Sequence, residues 1–391
     1  MRLLVLAPAP PTPRSGGGSL RMLHMLRFLG TRLEVDLVGP GLEGAAEAEA
    51  RLRESCREIE FVPPSAGGLR RRVLRLGPYE RDPALAAAVR RRLATREYAA
   101  VQVEKAAMLP YVPPGDPTPI VLDIWAYGLT GARRALRHEP GVATRARNLL
   151  RLARFAAFDA LRWPATHCLL LVSELDRQHC LRERPDRRVL IVPNGVDCRA
   201  VPAGPPHDGR PPRLLMTGDM SFAPNVSTAL VLAARIFPEV RRVHPDAELH
   251  LVGRRPDPRI LALRRPGITV TGEVPDVLPS LHAATVFVNP QVTGGGTRTK
   301  LLEAMAAGLP IVTTSVGIEG IEARHGHEML LAEDPGATVA AILRLLADPG
   351  ERRRLGAAAR RLAEDCYDWP RCLAPLDGLY AELAALKAAP C

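Results

Sequence analysis

The stretch NPQVTGGGTRTKLLEAMAAGLPIVTT, residues 289–314, contains the end of one strand, a glycine turn, a helix and the next strand. Three glycines, Gly294, Gly295 and Gly296, precede a pattern that predicts a helix from Arg298 to Ala307. Gly308 and Pro310 predict where that helix ends. A strand, a helix and a strand in this order predict a unit of parallel sheet.

The same alternation extends outward over the whole chain. In the first half the apolar runs that predict strands are Leu3–Ala7, Leu33–Val38, Glu58–Val62, Ala100–Glu104, Pro119–Ile124, His167–Val172 and Arg188–Val192. In the second half they are Arg213–Thr217, Ala247–Val252, Gly267–Thr271, Thr285–Asn289, Leu309–Thr313 and Glu328–Leu331. Continuously apolar strands that alternate with helices predict α/β domains whose parallel sheets are covered on both faces.

One segment interrupts this alternation. VPAGPPHDGRPP, residues 201–212, contains five prolines and two glycines and predicts a linker. With 391 residues, the chain is longer than one core usually fills. We therefore predict a first Rossmann-like domain over 1–200, a second over 213–365, and a closing helix over 366–391. Two such sheets facing each other would form a cleft at the carboxyl ends of their strands.

Composition narrows the class of protein. Apolar residues make up 47% of the chain and charged residues 24%, which is ordinary for a folded globular protein. No apolar run approaches the roughly 18 residues that span a membrane. The seven cysteines form no C-x-x-C pair, so we predict no disulfide framework or zinc site and a cytoplasmic location.

The net charge of +11 lies entirely in the first half. Residues 1–200 contain 32 Lys and Arg and 21 Asp and Glu, whereas residues 201–391 contain 21 of each. The densest basic stretches are Leu69–Arg75, Arg90–Arg92 and Arg133–Arg162. They predict peripheral docking on an anionic membrane face, or helices that face the core and expose a basic side to water. Aromatic residues are only 4% and no recognition motif occurs, so we expect no nucleic-acid partner.

The glycine turn of residues 294–296 and the helix after it predict an anion site. Glycines before a helix let backbone N–H groups face a ligand, and the helix N-terminus favours negative charge. Arg298 and Lys300 lie in the first turn, where each cation opposes the helix dipole by about 0.3–1 kcal/mol. A bound diphosphate would explain both, and Glu303 could accept hydrogen bonds from sugar hydroxyls. The alternative is a surface Lys300–Glu303 pair beside a solvated Arg298.

The motif GGGTRTKLLEAMAAGLP resembles the donor site of glycosyltransferase family 4, which has the GT-B fold. Further segments that resemble the family, in the expected order, are VSELDRQHC (172–180), VLIVPNGVD (189–197), GDMSFAPNVSTAL (218–230), ELHLVG (248–253), TGEVPDVLPSLHAATVFVNP (271–290), SVGIEGI (315–321) and CYDWPRCLAPLDGLYAEL (366–383). The resemblance implies a closing helix that crosses back to the first domain.

The resemblance also implies residue roles. Glu303 matches the glutamate that holds the donor ribose, and Gly294–Gly296 match the phosphate-facing loop. The full implied donor set is Gly16, Gly17, Gly218, Gly294, Gly295, Gly296, Thr297, Arg298, Lys300 and Glu303. Many relatives carry a glutamate where this chain has Gly295, and an Arg and a Lys where it has GDMSFAPN (218–225). Arg298 and Lys300 would supply the missing cations.

The acceptor side is less specific. VLDIWAYG, residues 121–128, follows a strand and offers Asp123, Trp125 and Tyr127, with Glu104 at the end of the preceding strand. We predict catalytic roles for Asp123, Arg298 and Lys300. A structural loop is the alternative for the region around Asp123.

The predicted function is a retaining glycosyltransferase that uses a nucleotide-diphosphate sugar as co-substrate, with no cofactor and no metal, since no Asp-x-Asp occurs. A lipid-linked or saccharide acceptor in cell-surface polysaccharide or glycolipid synthesis is expected. A natural-product glycosyltransferase, a nucleotide-sugar epimerase and a non-catalytic GT-B partner subunit are the alternatives. A nicotinamide dehydrogenase is disfavoured because no G-x-G-x-x-G follows a strand.

Overall fold

The computed structural model describes residues 1–13, 16–65, 82–95, 97–125, 149–150, 153, 166–205, 211–293 and 298–388. Within them the chain forms two compact α/β units. The first comprises Met1–Pro193 with Leu373–Cys391, and the second comprises Asn194–Cys372.

The first unit contains a seven-stranded parallel sheet in the order β3-β2-β1-β4-β5-β6-β7. Its strands are β1 (Arg2–Leu6), β2 (Glu34–Pro40), β3 (Glu58–Val62), β4 (Ala100–Glu104), β5 (Ile120–Ile124), β6 (Cys168–Leu171) and β7 (Val189–Ile191). Among the described residues before 194, its helices of eight or more residues are α1 (Gly17–Gly30), α2 (Ala45–Leu52), α3 (Pro83–Leu93) and α4 (Glu174–Glu183), with a 3-10 turn at Ala106–Tyr111. All seven predicted strands are confirmed.

The second unit contains a six-stranded parallel sheet in the order β10-β9-β8-β11-β12-β13. Its strands are β8 (Arg213–Thr217), β9 (Glu248–Val252), β10 (Ile268–Val270), β11 (Val286–Asn289), β12 (Ile311–Thr313) and β13 (Leu330–Leu331). Its helices are α5 (Ala223–Val231), α6 (Phe237–Val243), α7 (Pro258–Leu261), α8 (Leu278–His282), α9 (Thr299–Ala306), α10 (Pro335–Ala347) and α11 (Pro349–Leu362), with π turns at Leu232–Ile236 and Ala363–Tyr367. The predicted strands are confirmed here too.

Local sequence explains where several helices begin. Asp82 accepts hydrogen bonds from the backbone of Ala84 and Leu85 and thereby caps α3. Asp334 and Asp348 cap α10 and α11 in the same way, and each of these three helices starts with proline. An aspartate cap before a first-turn proline satisfies backbone donors that the helix leaves open.

The structure divides the chain at a different place from the predicted linker. Gly204 N donates to Ala307 O at 3.0 Å, and Arg360 donates to the carbonyl oxygens of Cys198 and Val201. These bonds fix residues 198–204 to the second unit, so the division comes at Pro193 instead. Residues 206–210 of the predicted linker lie outside the described residues.

The predicted closing helix is split in two. Its first part is α12 (Trp369–Leu373). Beside its start, Val196 N donates to Tyr367 O, and Trp369 N donates to Val196 O. The last helix, α13 (Pro375–Ala388), packs on the first unit. There Glu382 accepts from both terminal nitrogens of Arg188 at 2.5 and 2.6 Å. The return of the chain to the first unit therefore begins at Leu373 and not at residue 366.

Candidate functional site

Two glycine turns meet at the carboxyl edge of the second sheet. Gly218 follows β8 with φ 147°, and Gly253 follows β9. A Cβ added to Gly253 would lie 1.7 Å from the carbonyl oxygen of Gly218, and one added to Gly218 would lie 2.8 Å from Asn225 Nδ2. Side chains at these two positions would therefore clash. Carboxyl edges of parallel sheets are where α/β domains bind ligands.

Helix α9 starts at this edge with two buried cations. Arg298 is the N-cap residue, with φ −86° and ψ 94°, and the first turn contains no acidic side chain. Arg298 is 8% exposed and Lys300 is 7% exposed. Burying cations at the positive end of a helix is unfavourable unless an anion binds there. The predicted glycine turn, Gly294–Gly296, and Thr297 lie outside the described residues.

The Lys300 amine has a neutral partner. Its Nζ donates to Asn225 Oδ1 at 2.8 Å, and no ion pair to Lys300 occurs in the described parts of the chain. Burial, and then the charge of Arg298, lower the pKa of Lys300 to about 7. No local pattern in GDMSFAPN (218–225) predicts this contact, because Asn225 and Lys300 are 75 residues apart.

Glu303 lies one turn further along α9 and is partly buried. Burial raises the pKa of its carboxyl to about 7. Among the described residues its carboxylate makes no hydrogen bond or ion pair. A carboxylate oxygen that protein groups leave unbonded can accept hydrogen bonds from hydroxyl groups. The surface Lys300–Glu303 pair considered above is not formed, because Lys300 is directed to Asn225.

A row of buried polar side chains lies at the ends of β8, β11 and β12. Asn289 is fully buried, and neither atom of its side-chain amide has a hydrogen-bond partner within the described segments. Thr313 Oγ1 donates to the Asn289 carbonyl at 2.9 Å, whereas Thr217 Oγ1 has no such partner there. Buried polar atoms usually bond protein, water or ligand. The carboxyl edge of the second sheet thus has buried polar atoms at the ends of three neighbouring strands.

Two further cations reach the turn after β8 from the turn after β9. Arg254 donates to Asp219 Oδ2 at 3.1 Å, and Arg255 also contacts that oxygen. Although burial acts the other way, hydrogen bonds from Ser221 and Arg255 lower the pKa of Asp219. Arg255 has φ 49°, a conformation that non-glycine residues seldom adopt. The segment after β8 contains no Arg or Lys of its own, but the fold brings two beside it.

Asp123 does not occupy the exposed position that a catalytic group would need. It is fully buried at the end of β5, where Arg21 Nε and Nη2 donate to its two oxygens at 2.8 and 2.9 Å. Arg21 Nη1 also donates to the carbonyl oxygens of Val192 and Pro193. The carboxylate is paired on both oxygens because α1 places a buried arginine beside it. This pair joins α1, β5 and the chain after β7, which is a structural role.

The glycine segment at the start of α1, residues 16–18, lies against Trp125 through Gly18. Gly16 is the N-cap of α1 with φ 99°, and Gly17 is the first helical residue. A Cβ added to Gly18 would lie 1.9 Å from the indole ring of Trp125. Trp125 Nε1 donates to Glu104 Oε2 at 3.0 Å. Trp125 therefore determines how closely α1 approaches β5.

Glu104 is the central group of a buried polar cluster. Gln102 Nε2 donates to Glu104 Oε1, and the Tyr380 hydroxyl of α13 donates to Gln102 Oε1. Burial, and then the charge of Asp123, raise the pKa of Glu104 to about 8. The next residue, Lys105, has φ 70°, and its Nζ lies 3.9 Å from the centroid of the Trp125 ring. Glu104 and Trp125 were both acceptor-side candidates, but no local pattern predicts the contact between them.

Most residues of the predicted basic stretches lie outside the described residues. Leu69–Arg75 lies outside them, as does Arg133–Arg162 apart from residues 149, 150 and 153. The acceptor-side candidate Tyr127 also lies outside the described residues. In α3, Arg91 and Arg92 both pair with Glu60 of β3. That part of the basic surface is thus partly neutralised. No described helix is both long enough and apolar enough to cross a membrane.

Residues 211–348 match the family model described as "Glycosyl transferases group 1". A glycogen synthase of Mycobacterium tuberculosis is 28% identical over 196 residues, which are 46% of this chain and 45% of that protein. The chain spans less than half the length of the curated relatives that it matches.

Two solved structures share the fold over nearly the whole chain. The sucrose-phosphate synthase of Thermosynechococcus elongatus has a TM-score of 0.73 at 18% identity and covers 98% of this chain and 99% of its own. HepE of Anabaena, in complex with UDP and glucose, has a TM-score of 0.68 at 15% identity and covers 97% and 99%. The chain thus has the GT-B fold, and its second unit matches the group 1 glycosyltransferases over residues 211–348.

Proposed function

We propose that this protein transfers a sugar from a nucleotide-diphosphate sugar to a hydroxyl acceptor. The observation that carries the proposal is the pair of buried cations, Arg298 and Lys300, at the start of α9. No carboxylate of the described residues pairs with Lys300, so its charge is open to an anion. The group 1 match and the UDP held by HepE support a nucleoside diphosphate as that anion.

The proposed role of each residue follows from where negative charge develops during the transfer. As the bond from the sugar to the diphosphate breaks, negative charge grows on the leaving diphosphate, and Arg298, Lys300 and the N-terminus of α9 stabilise it. We propose retention at the anomeric carbon, with the acceptor's proton passing to the leaving diphosphate. No protein nucleophile is then needed. Glu303 would hold the ribose, and the reaction would need no metal or cofactor beyond the co-substrate.

By resemblance, the residues that offer backbone to the donor are Gly16, Gly17, Gly218, Gly294–Gly296 and Thr297. Asp123 is assigned instead to the folding of the first unit, since both of its oxygens are bonded to Arg21. The acceptor-side group is thus left to residues other than Asp123.

We propose a lipid-linked or saccharide acceptor, in cell-surface polysaccharide or glycolipid synthesis, and peripheral docking at the cytoplasmic face of a membrane. The support is the excess of +11 in residues 1–200. Flotation with vesicles tests the docking. Binding that requires anionic lipid and weakens with salt supports it, and equal binding to neutral vesicles rejects it. A natural-product acceptor is the alternative.

The activity itself is tested by turnover. Purified protein is incubated with UDP-, GDP-, ADP- and dTDP-sugars in the presence of acceptor candidates, and released nucleoside diphosphate is measured. Turnover with one donor supports the proposal. Tight binding of a nucleoside diphosphate with no turnover on any acceptor would support the alternative, a non-catalytic GT-B partner subunit.

A further inference from the structure

The side chain of Asn225 is fixed at both of its polar atoms. It lies in the first turn of α5 and is 7% exposed. Its Nδ2 donates to the Asp219 carbonyl at 2.9 Å, and its Oδ1 accepts from Lys300 Nζ at 2.8 Å. A carbonyl can only accept and an ammonium can only donate, so these partners determine which way the amide points. The turn after β8 is thereby tied to α9.

A neutral partner is unusual for a buried lysine. Buried lysines are normally paired with a carboxylate, because an ammonium without a counter-charge is costly to desolvate. Here the amide oxygen orients the amine without cancelling its charge. The nearest turn does contain a carboxylate, Asp219, but that group is held by Arg254 and Arg255.

We propose that Asn225 is a positioning residue of the donor site, which holds the Lys300 amine toward the diphosphate while leaving its positive charge uncompensated. This inference rests on the proposed function. It identifies what the segment GDMSFAPN (218–225) contributes: a neutral hydrogen-bond acceptor for a cation that comes from α9.

The charges around Lys300 predict a pH dependence. Arg298 on the same helix repels the protonated amine, and burial adds to this, so the pKa of Lys300 falls to about 7. On the α5 side the charged groups are Asp219, Arg254 and Arg255, which are bonded to one another. A bound diphosphate favours the protonated amine. The wild type should therefore take up a proton on binding at pH 8, and its affinity should fall as the pH rises through about 7.

The test replaces the neutral partner by a charged one of the same shape. Affinities of the wild type, Asn225→Asp and Ser227→Asp for UDP, GDP, ADP and dTDP are measured by titration calorimetry from pH 6 to 9. Ser227 is exposed on the same helix, so Ser227→Asp adds the same charge away from Lys300. Asn225→Asp should bind at least roughly 10-fold more weakly at pH 7 and lose the proton uptake, because its Lys300 is already protonated and paired. Ser227→Asp should behave as the wild type.

A double-mutant cycle with Lys300→Met distinguishes an effect of Asn225 that acts through Lys300 from a general effect on folding. If Asn225 acts through Lys300, Asn225→Asp should change affinity little once Lys300 is methionine. An unchanged affinity and pH profile in Asn225→Asp, or an equal loss in the Lys300→Met background, would overturn the inference. If the wild type binds none of the four nucleotides, the proposed function fails as well. If the wild type binds and Lys300→Met does not, but Asn225→Asp matches the wild type, the inference alone fails.

Discussion

Arg21 and Asp123 form an ion pair in which neither side chain has any exposed surface. The guanidinium donates to both carboxylate oxygens and also to the carbonyl oxygens of Val192 and Pro193, where the first unit ends. One side chain of α1 therefore connects β5 with the last residues before the second unit. The pair explains why a charged residue, Arg21, can be buried in α1.

Removing one partner of this pair should destabilise the first unit strongly. Asp123→Ala leaves the Arg21 charge buried without its carboxylate, and we expect a loss of about 3–5 kcal/mol in the free energy of unfolding. Urea denaturation followed by circular dichroism measures it. Glu47→Ala breaks the exposed Arg51–Glu47 pair as a control and should cost under about 0.5 kcal/mol. Equal effects of the two substitutions would contradict the structural role of Asp123.

The contact between Gly18 and Trp125 gives a second prediction. Gly18→Ala places a Cβ 1.9 Å from the indole ring, so we expect a loss of about 1–3 kcal/mol despite the better helix propensity of alanine. Gly378 in α13 has open space around its Cβ position, and Gly378→Ala should stabilise by about 0.4–1 kcal/mol. Thermal unfolding of both variants shows whether Gly18→Ala lowers the Tm and Gly378→Ala raises it. A stabilising Gly18→Ala would show that α1 and Trp125 are not in this contact.

The strands were predictable because parallel strands are buried on both faces and appear as continuous apolar runs. Arg21 was not predictable, since a lone arginine in an amphipathic helix is normally solvated and its partner is 102 residues away. Asn225 and Lys300 are likewise 75 residues apart. Local patterns contain no information on such pairs.

The prolines of residues 201–212 predicted a linker, but Arg360 of the second unit donates to the carbonyl oxygen of Val201, which lies 159 residues earlier in the chain. The described residues 198–204 are therefore bonded to the second unit. Local composition predicts where the chain lacks regular structure, whereas hydrogen bonds between distant residues determine to which compact unit a segment belongs.

The leaving-group role that we propose for Arg298 predicts a large loss of turnover. Arg298→Ala removes a buried cation at the start of α9, and we expect kcat to fall about 10²-fold or more while the protein stays folded. Arg242→Ala removes an exposed arginine of α6 as the matched control and should leave kcat unchanged. Release of nucleoside diphosphate from the donor gives the rates. Wild-type turnover in Arg298→Ala would remove this residue from the site.

The raised pKa of Glu303 predicts how stability depends on pH. Burial raises this pKa from 4.5 to about 7, so between these values the folded protein holds a proton that the unfolded chain has lost. The associated stability is present below about pH 4.5 and is lost as the pH rises to about 7. Glu303→Gln does not titrate, so its Tm relative to the wild type should increase from pH 5 to pH 8. A difference in Tm that is independent of pH would contradict the buried position of the carboxyl.

The central claim is that α9 begins at a nucleoside diphosphate site. Titration calorimetry of UDP, GDP, ADP and dTDP into the wild type and into Lys300→Met, at pH 6.5, tests it most directly. We predict that at least one of the four binds the wild type and that Lys300→Met weakens this binding at least roughly 10-fold, since it removes a desolvated cation. Equal affinity in the two proteins, or no binding of any of the four to the wild type, would contradict the claim.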